Sequence, residues 1–116
     1  MGRRFVPATV IAIAAANVAS ANAAAMAIVV AAAGNCVGLV VWPAAYPEMI
    51  AIGGTNKADK KWKGSSHGNA VDISAPAEFV WKAARDSATA PNNLIVGGQG
   101  TSFATALTAG IAALWL

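Results

Sequence analysis

Gly97-Gly98-Gln99-Gly100-Thr101-Ser102-Phe103-Ala104 is the stretch that decides how the chain is read, because it leads without a polar linker into a segment that stays apolar to Leu116. From Ser102 to Leu116 the pattern is apolar on every side, with Gly110 as its only strong helix weakener. Such a segment predicts a helix that must be buried inside a larger body. The glycines ahead of it let the backbone approach a ligand closely. A hydroxyl at the start of a helix also sits beside free N–H groups and the positive end of the helix dipole. Two readings of that hydroxyl compete. Ser102 or Thr101 is an N-cap, or Ser102 is a nucleophile whose oxyanion those N–H groups would stabilise. The local pattern by itself favours the cap.

Working outward, short apolar runs bounded by Gly, Pro, Asn and Ser predict strands at Ala27–Ala33, Met49–Thr55 and Ala70–Ser74. Weaker candidates are Leu39–Val41, Phe79–Trp81 and Leu94–Val96. The first run is apolar on both faces, as suits a strand in the middle of a parallel sheet covered on both sides. Trp42-Pro43 and Tyr46-Pro47 bias the residues before each proline to extended conformations and allow a cis bond. The spacer from Thr55 to Gly68 is polar, charged and turn-rich, and no repeat or linker divides the 116 residues. One domain, or a piece of one, is expected.

Hydrophobic residues make up 57% of the chain and charged residues 11%, against about 25% in an ordinary soluble domain. The net charge of +3 does not form a nucleic-acid footprint. Lys57, Lys60, Lys61 and Lys63 cluster around Trp62 in one polar stretch, which reads as a solvated loop. Cys36 is the only cysteine, so no intrachain disulfide or zinc spacing arises. No cluster of carboxylates marks a calcium site, and neither a metal nor a cofactor is expected.

The N-terminus supports several readings. Met1-Gly-Arg-Arg4, the apolar run Phe5–Ala16 and the triplet Ala21-Asn22-Ala23 have the three parts of a secretory signal. The same residues also read as an alanine-rich helix over Ala8–Ala25 leading into the first strand. A membrane span is the weakest reading, since alanine drives insertion poorly and Asn17, Ser20 and Asn22 interrupt the run.

Gly100-Thr101-Ser102-Phe103-Ala104, followed by Ala109-Gly110 and Ala112-Ala113-Leu114, resembles the nucleophile motif of the subtilisin-like serine proteases, the subtilases. Other segments resemble the family in its own order. Val29-Val30-Ala31-Ala32-Ala33-Gly34-Asn35 is similar to the strand ending in the oxyanion asparagine, and Trp42-Pro43-Ala44 with Tyr46-Pro47 to the proline-containing segment after it. Ile50-Ala51-Ile52-Gly53-Gly54, Ser65-Ser66-His67-Gly68 and Val71-Asp72-Ile73-Ser74-Ala75-Pro76 follow in register. The resemblance covers residues 10–116 and leaves residues 1–9 as an uncertain leader.

The resemblance implies an α/β fold, a partial subtilisin-like three-layer arrangement whose central parallel sheet packs a buried C-terminal helix with the nucleophile at its start. It implies Ser102 as the nucleophile of an acyl-enzyme and Asn35 as the side-chain donor to the oxyanion. Ala32, Ala33 and Gly34 would line the pocket for the substrate side chain before the scissile bond. Val41 would stand near its floor and restrict it to small or medium side chains. Ala77, Ala106 and Thr108 depart from the family pattern, Thr108 by placing a hydroxyl on a helix where it must bond back to the preceding turn.

The family's catalytic Asp and His motifs occur nowhere in the chain, whose single histidine is His67. His67 with Asp72 as a locally assembled base is a remote alternative. The expectation is therefore a C-terminal portion of a catalytic domain that acts on peptide or protein substrates once completed, with the missing N-terminal half as partner, and is inactive alone. For the parent family a secreted location is implied. A second reading is a noncatalytic remnant that binds extended peptides by strand addition or complements another chain. A third is a small secreted or membrane-associated protein, supported only by the N-terminus.

Overall fold

A computed structural model describes residues 11–15, 27–84 and 94–115. Its main sheet has the order β1 (Ile11–Ala15), β2 (Ala27–Ala32), β3 (Ile50–Thr55), β4 (Ile73–Pro76). β2, β3 and β4 are parallel, with Val30 opposite Ile50 and Ile52 opposite Ile73, while β1 runs antiparallel to β2. A separate antiparallel pair, β5 (Val80–Ala84) and β6 (Leu94–Gly98), leads into α1 (Thr101–Trp115).

The double-sided apolar run that predicted a central strand is β2, paired on both edges and packed on both faces. Alternation along the strand sorts its side chains. Val30 faces a cluster with Ile52, Trp62, Ala77 and Ala104 of α1, whereas Ala31 and Ala33 face Val40, Ala44 and Ala51. The helix covers the first face. The second is covered by the irregular segment between β2 and β3, which folds back through a cis Trp42–Pro43 bond and an edge-on contact of Trp42 with Tyr46. The architecture is α/β in three layers, but its second covering layer is a loop. Small side chains on that face let the loop lie close. The larger Val30 and Ile52 lie under α1, where burial contributes on the order of 1.5–3 kcal/mol each.

Four sequence expectations need correction. The helix expected over Ala8–Ala25 is a strand at 11–15: Ile11 and Ile13 alternate with alanines, a period-two pattern that suits pairing with β2. The remainder of that stretch and the leader at 1–9 lie outside the described residues. Leu39–Val41 forms no strand, because the chain there turns beneath the sheet and Val41 donates its N–H to Ala33 O. The strand expected at Ala70–Ser74 begins only at Ile73, after Asp72 has clamped β3 through its N–H to Ala51 O and its carboxylate to the Ala51 N–H. α1 is also buried only in part: Thr101, Ala104 and Thr105 are buried, while Leu107, Ile111, Leu114 and Trp115 are exposed.

Candidate active site

The site forms where β2 ends. After Ala32 the chain needs a sharp turn, and Gly34 makes it with a φ of 115° that an L side chain rarely adopts. A Cβ there would come within 2.8 Å of Ser66 Oγ and 2.9 Å of a Val41 methyl. The turn is tied to the Ser65–Ser66 segment by Ser66 N–H to Gly34 O at 2.8 Å and Cys36 N–H to Gly64 O at 2.7 Å. Ser65 and Ser66 are themselves buried. Their hydroxyls donate to Ser66 O and Val37 O, and Ser65 Oγ accepts the Gly54 N–H, so these serines act as braces for the loop.

Asn35 is carried by this turn to the start of α1. Its Oδ1 accepts the Thr101 N–H at 2.8 Å and the Thr101 hydroxyl at 2.9 Å, and Thr101 Oγ1 in turn accepts the Gly34 N–H at 3.3 Å. Asn35 is thus the cap of α1, supplied from 66 residues away. Neither Ser102 nor Thr101 caps the helix as the local pattern suggested. With Oδ1 committed to two donors, the amide orientation is set and Nδ2 points the other way.

Gly100 places the remaining parts. Its N–H is held by Ala77 O at 2.8 Å, and its φ is 148°. A Cβ at Gly100 would lie 3.2 Å from Ser102 Oγ and 3.4 Å from Asn35 Nδ2, so the hydroxyl and the amide donor flank one small space kept open by the absence of a side chain. The first turn of a helix leaves the Ser102 N–H without an intrahelical partner, and it adds a backbone donor at the positive end of the dipole. A carbonyl group placed over Gly100 would meet the Ser102 hydroxyl and two kinds of N–H donor.

Ala32, Ala33 and Gly34 are buried behind this point, and both Val41 methyls rest against Gly34. The structure therefore brings together Ser102, Asn35, Gly34 and Val41. Ala33 joins the second core cluster. Thr101 was missed by the sequence reading except as a possible cap, and the available signal was a second hydroxyl directly before the serine. The departures from the family pattern are absorbed. Ala77 is buried beneath Gly54 with its N–H on Thr55 O, and Thr108 donates its hydroxyl back to Ala104 O at 2.9 Å. Asp72, clamped to Ala51, is spent on the sheet.

Among the described residues two clefts open at Cys36, the residue after Asn35. One, of about 200 Å³, is lined by Cys36, Lys61, Lys63, Ser65 and His67. The other, of about 440 Å³, is lined by Cys36, Trp62, Lys63, Glu78 and Gln99. Among the described residues no group of three or more His, Cys, Asp or Glu is placed to hold a metal ion, and no helix is long and apolar enough to cross a membrane.

The model of the Subtilase family, Peptidase S8, matches residues 4–116. The chain belongs to the subtilases. Thermitase of Thermoactinomyces vulgaris is 36% identical over 88 residues, which are 75% of this chain and 29% of thermitase. Subtilisin of Bacillus pumilus is 37% identical over 94 residues, 77% of this chain and 32% of the relative. Among solved structures, the prenylagaramide maturation protease PagA superposes with a TM-score of 0.64 at 32% identity, covering 75% of this chain and 31% of PagA. The S218A mutant of the PatA protease domain gives 0.62 at 30%, over 73% and 30%. This subtilase chain spans about a third of the length of the relatives it matches. The match fits the parallel β2–β3–β4 sheet and the helix entered at Thr101.

Proposed function

We propose that the chain supplies the nucleophile and the oxyanion site of a serine endopeptidase, and that hydrolysis proceeds through an acyl-enzyme on Ser102. The observation that carries this reading is the convergence of Ser102 Oγ and Asn35 Nδ2 on the space over Gly100. In the acylation step Ser102 Oγ bonds to the scissile carbonyl carbon as its proton passes to a base. The carbonyl oxygen becomes the oxyanion, held by Asn35 Nδ2–H and the Ser102 N–H, and its collapse expels the amine, which takes up the proton. Water then repeats the attack and releases the acid. Among the described residues no base stands beside Ser102. The chain's one histidine, His67, is exposed and lines a cleft with Lys61 and Lys63, while Asp72 holds β3. A serine without a base is a weak nucleophile at neutral pH, so the chain alone is inactive and activity needs a segment bearing the Asp and His motifs.

The test mixes the purified chain with a separately expressed subtilase segment carrying those motifs and probes with a fluorophosphonate. Labelling of Ser102 is expected only in the mixture and not with S102A. Robust labelling of the chain alone, or none in the mixture, overturns the proposal. The Val41 methyls against Gly34 further support a shallow pocket for small or medium side chains. In the complemented enzyme Val41→Gly shifts the preference toward large aromatic substrates, read as the ratio of kcat/KM values. Equal rates for both classes in the wild type would contradict it.

A further inference from the structure

The lysine-rich stretch, read from sequence as a solvated loop, is organised by Trp62. Its indole is buried in the core under α1, and Trp62 N–H bonds to Gly54 O. Lys61 precedes Trp62 in an isolated bridge to Thr55, and Lys63 follows it in the turn closed by Ser65 N–H to Trp62 O. Both lysines line the cleft of about 200 Å³ that starts at Cys36. That cleft is fixed relative to the candidate site, since Cys36 N–H bonds to Gly64 O and Asn35 bridges to Ser65. His67 adds a further N–H donor in either protonation state, and no carboxylate lines the cleft. Lys57 and Lys60 belong to a different feature, the turn built on Asn56, and line neither of the two clefts.

We propose that this cleft binds the carboxylate of an acidic side chain on a peptide lying across Asn35, so that the protease selects substrates with Asp or Glu near the scissile bond. The proposal rests on the peptidase reading given above and deepens it. Two lysines and a histidine gathered in a space of side-chain size suit one carboxylate. A nucleic acid would need a longer basic track following successive phosphates.

The test measures fluorescence anisotropy of the purified chain with labelled ten-residue peptides that differ only in one Glu or Gln, scanned along the sequence. At low salt the best Glu peptide is expected to bind about tenfold tighter than its Gln twin, and the difference shrinks in high salt. K61Q/K63Q abolishes the difference, while K57Q/K60Q, with the same loss of charge, retains it. Equal affinity of Glu and Gln peptides, binding of neither, or equal loss in both double variants overturns the proposal. Tighter binding of a single-stranded oligonucleotide with the same dependence on Lys61 and Lys63 overturns it in favour of nucleic acid. A Glu preference without fluorophosphonate labelling in the complemented mixture defeats the catalytic reading and leaves the carboxylate-binding cleft standing. Labelling without the preference does the reverse.

Discussion

The two ends of α1 differ sharply in surroundings and in side chains: the first half carries the hydroxyls of Thr101, Ser102, Thr105 and Thr108, and the last two turns carry none. The first turn and a half is buried: Thr101, Ala104 and Thr105 have almost no exposed surface, Thr101 is held by Asn35, and Thr105 donates its hydroxyl to Thr101 O. The last two turns carry Ile111, Leu114 and Trp115 in the open, the last two 89% and 87% exposed. Composition therefore says that a helix needs covering, and not where the cover comes from. Within this chain β1, β2, β3 and β4 pack against α1, and the Asn35 turn holds its first residue. The other end is a contiguous apolar surface of the kind that marks an interaction site or an aggregation hazard.

Breaking the well-covered end has the largest expected effect. Asn35→Ala removes the proposed oxyanion amide and, on that proposal, should lower kcat of the complemented enzyme by about 10²–10³-fold, a range set by subtilisin itself. The same change removes the cap of α1, so thermal unfolding of the isolated chain should show a further loss of about 1 kcal/mol. Normal turnover would show that Asn35 is only a cap.

Gly34→Ala comes next. A side chain at φ 115° that also meets Ser66 Oγ and Val41 should cost about 1–3 kcal/mol or more in urea unfolding. Unchanged stability would mean that the turn relaxes. Thr101→Val keeps the shape but leaves the Gly34 N–H without its acceptor and Asn35 Oδ1 with one donor fewer. A loss of about 1–3 kcal/mol is expected, again by urea unfolding. The smallest effect belongs to the other end: L114Q/W115Q should change stability by only about 0.5 kcal/mol while reducing self-association in sedimentation velocity. A large destabilisation there would mean that the distal turns are packed more tightly than their exposure indicates.

Much of the fold was legible before any coordinates. β2, β3 and α1 appear within a residue or so of where apolar runs and glycine boundaries put them, because strands covered on both faces and an all-apolar helix leave continuous patterns. β4 was placed too early, since Val71 and Asp72 look strand-like but serve as a clamp on β3. β1 was mistaken for helix because alanine satisfies both periods, and only its pairing with β2 decides between them. At the site, Ser102 and Asn35 were singled out by their order among family-like segments, and the roles proposed for them rest on that order. Their local surroundings alone pointed to a cap and a turn.

What the sequence determines by itself is the identity of the groups proposed to react and the backbone they require: a serine two residues after Gly100, an asparagine after Gly34, and glycines where side chains would block the approach. What only the tertiary structure decides is how these groups are used. Asn35 reaches the head of α1 because β2 and β3 pair in one register and the Ser65–Ser66 turn braces the loop. That contact spends Oδ1 on Thr101 and leaves Nδ2 beside Ser102. Long-range pairing of this kind depends on the summed packing of many residues and has no local signature, so it is absent from any short window of the chain.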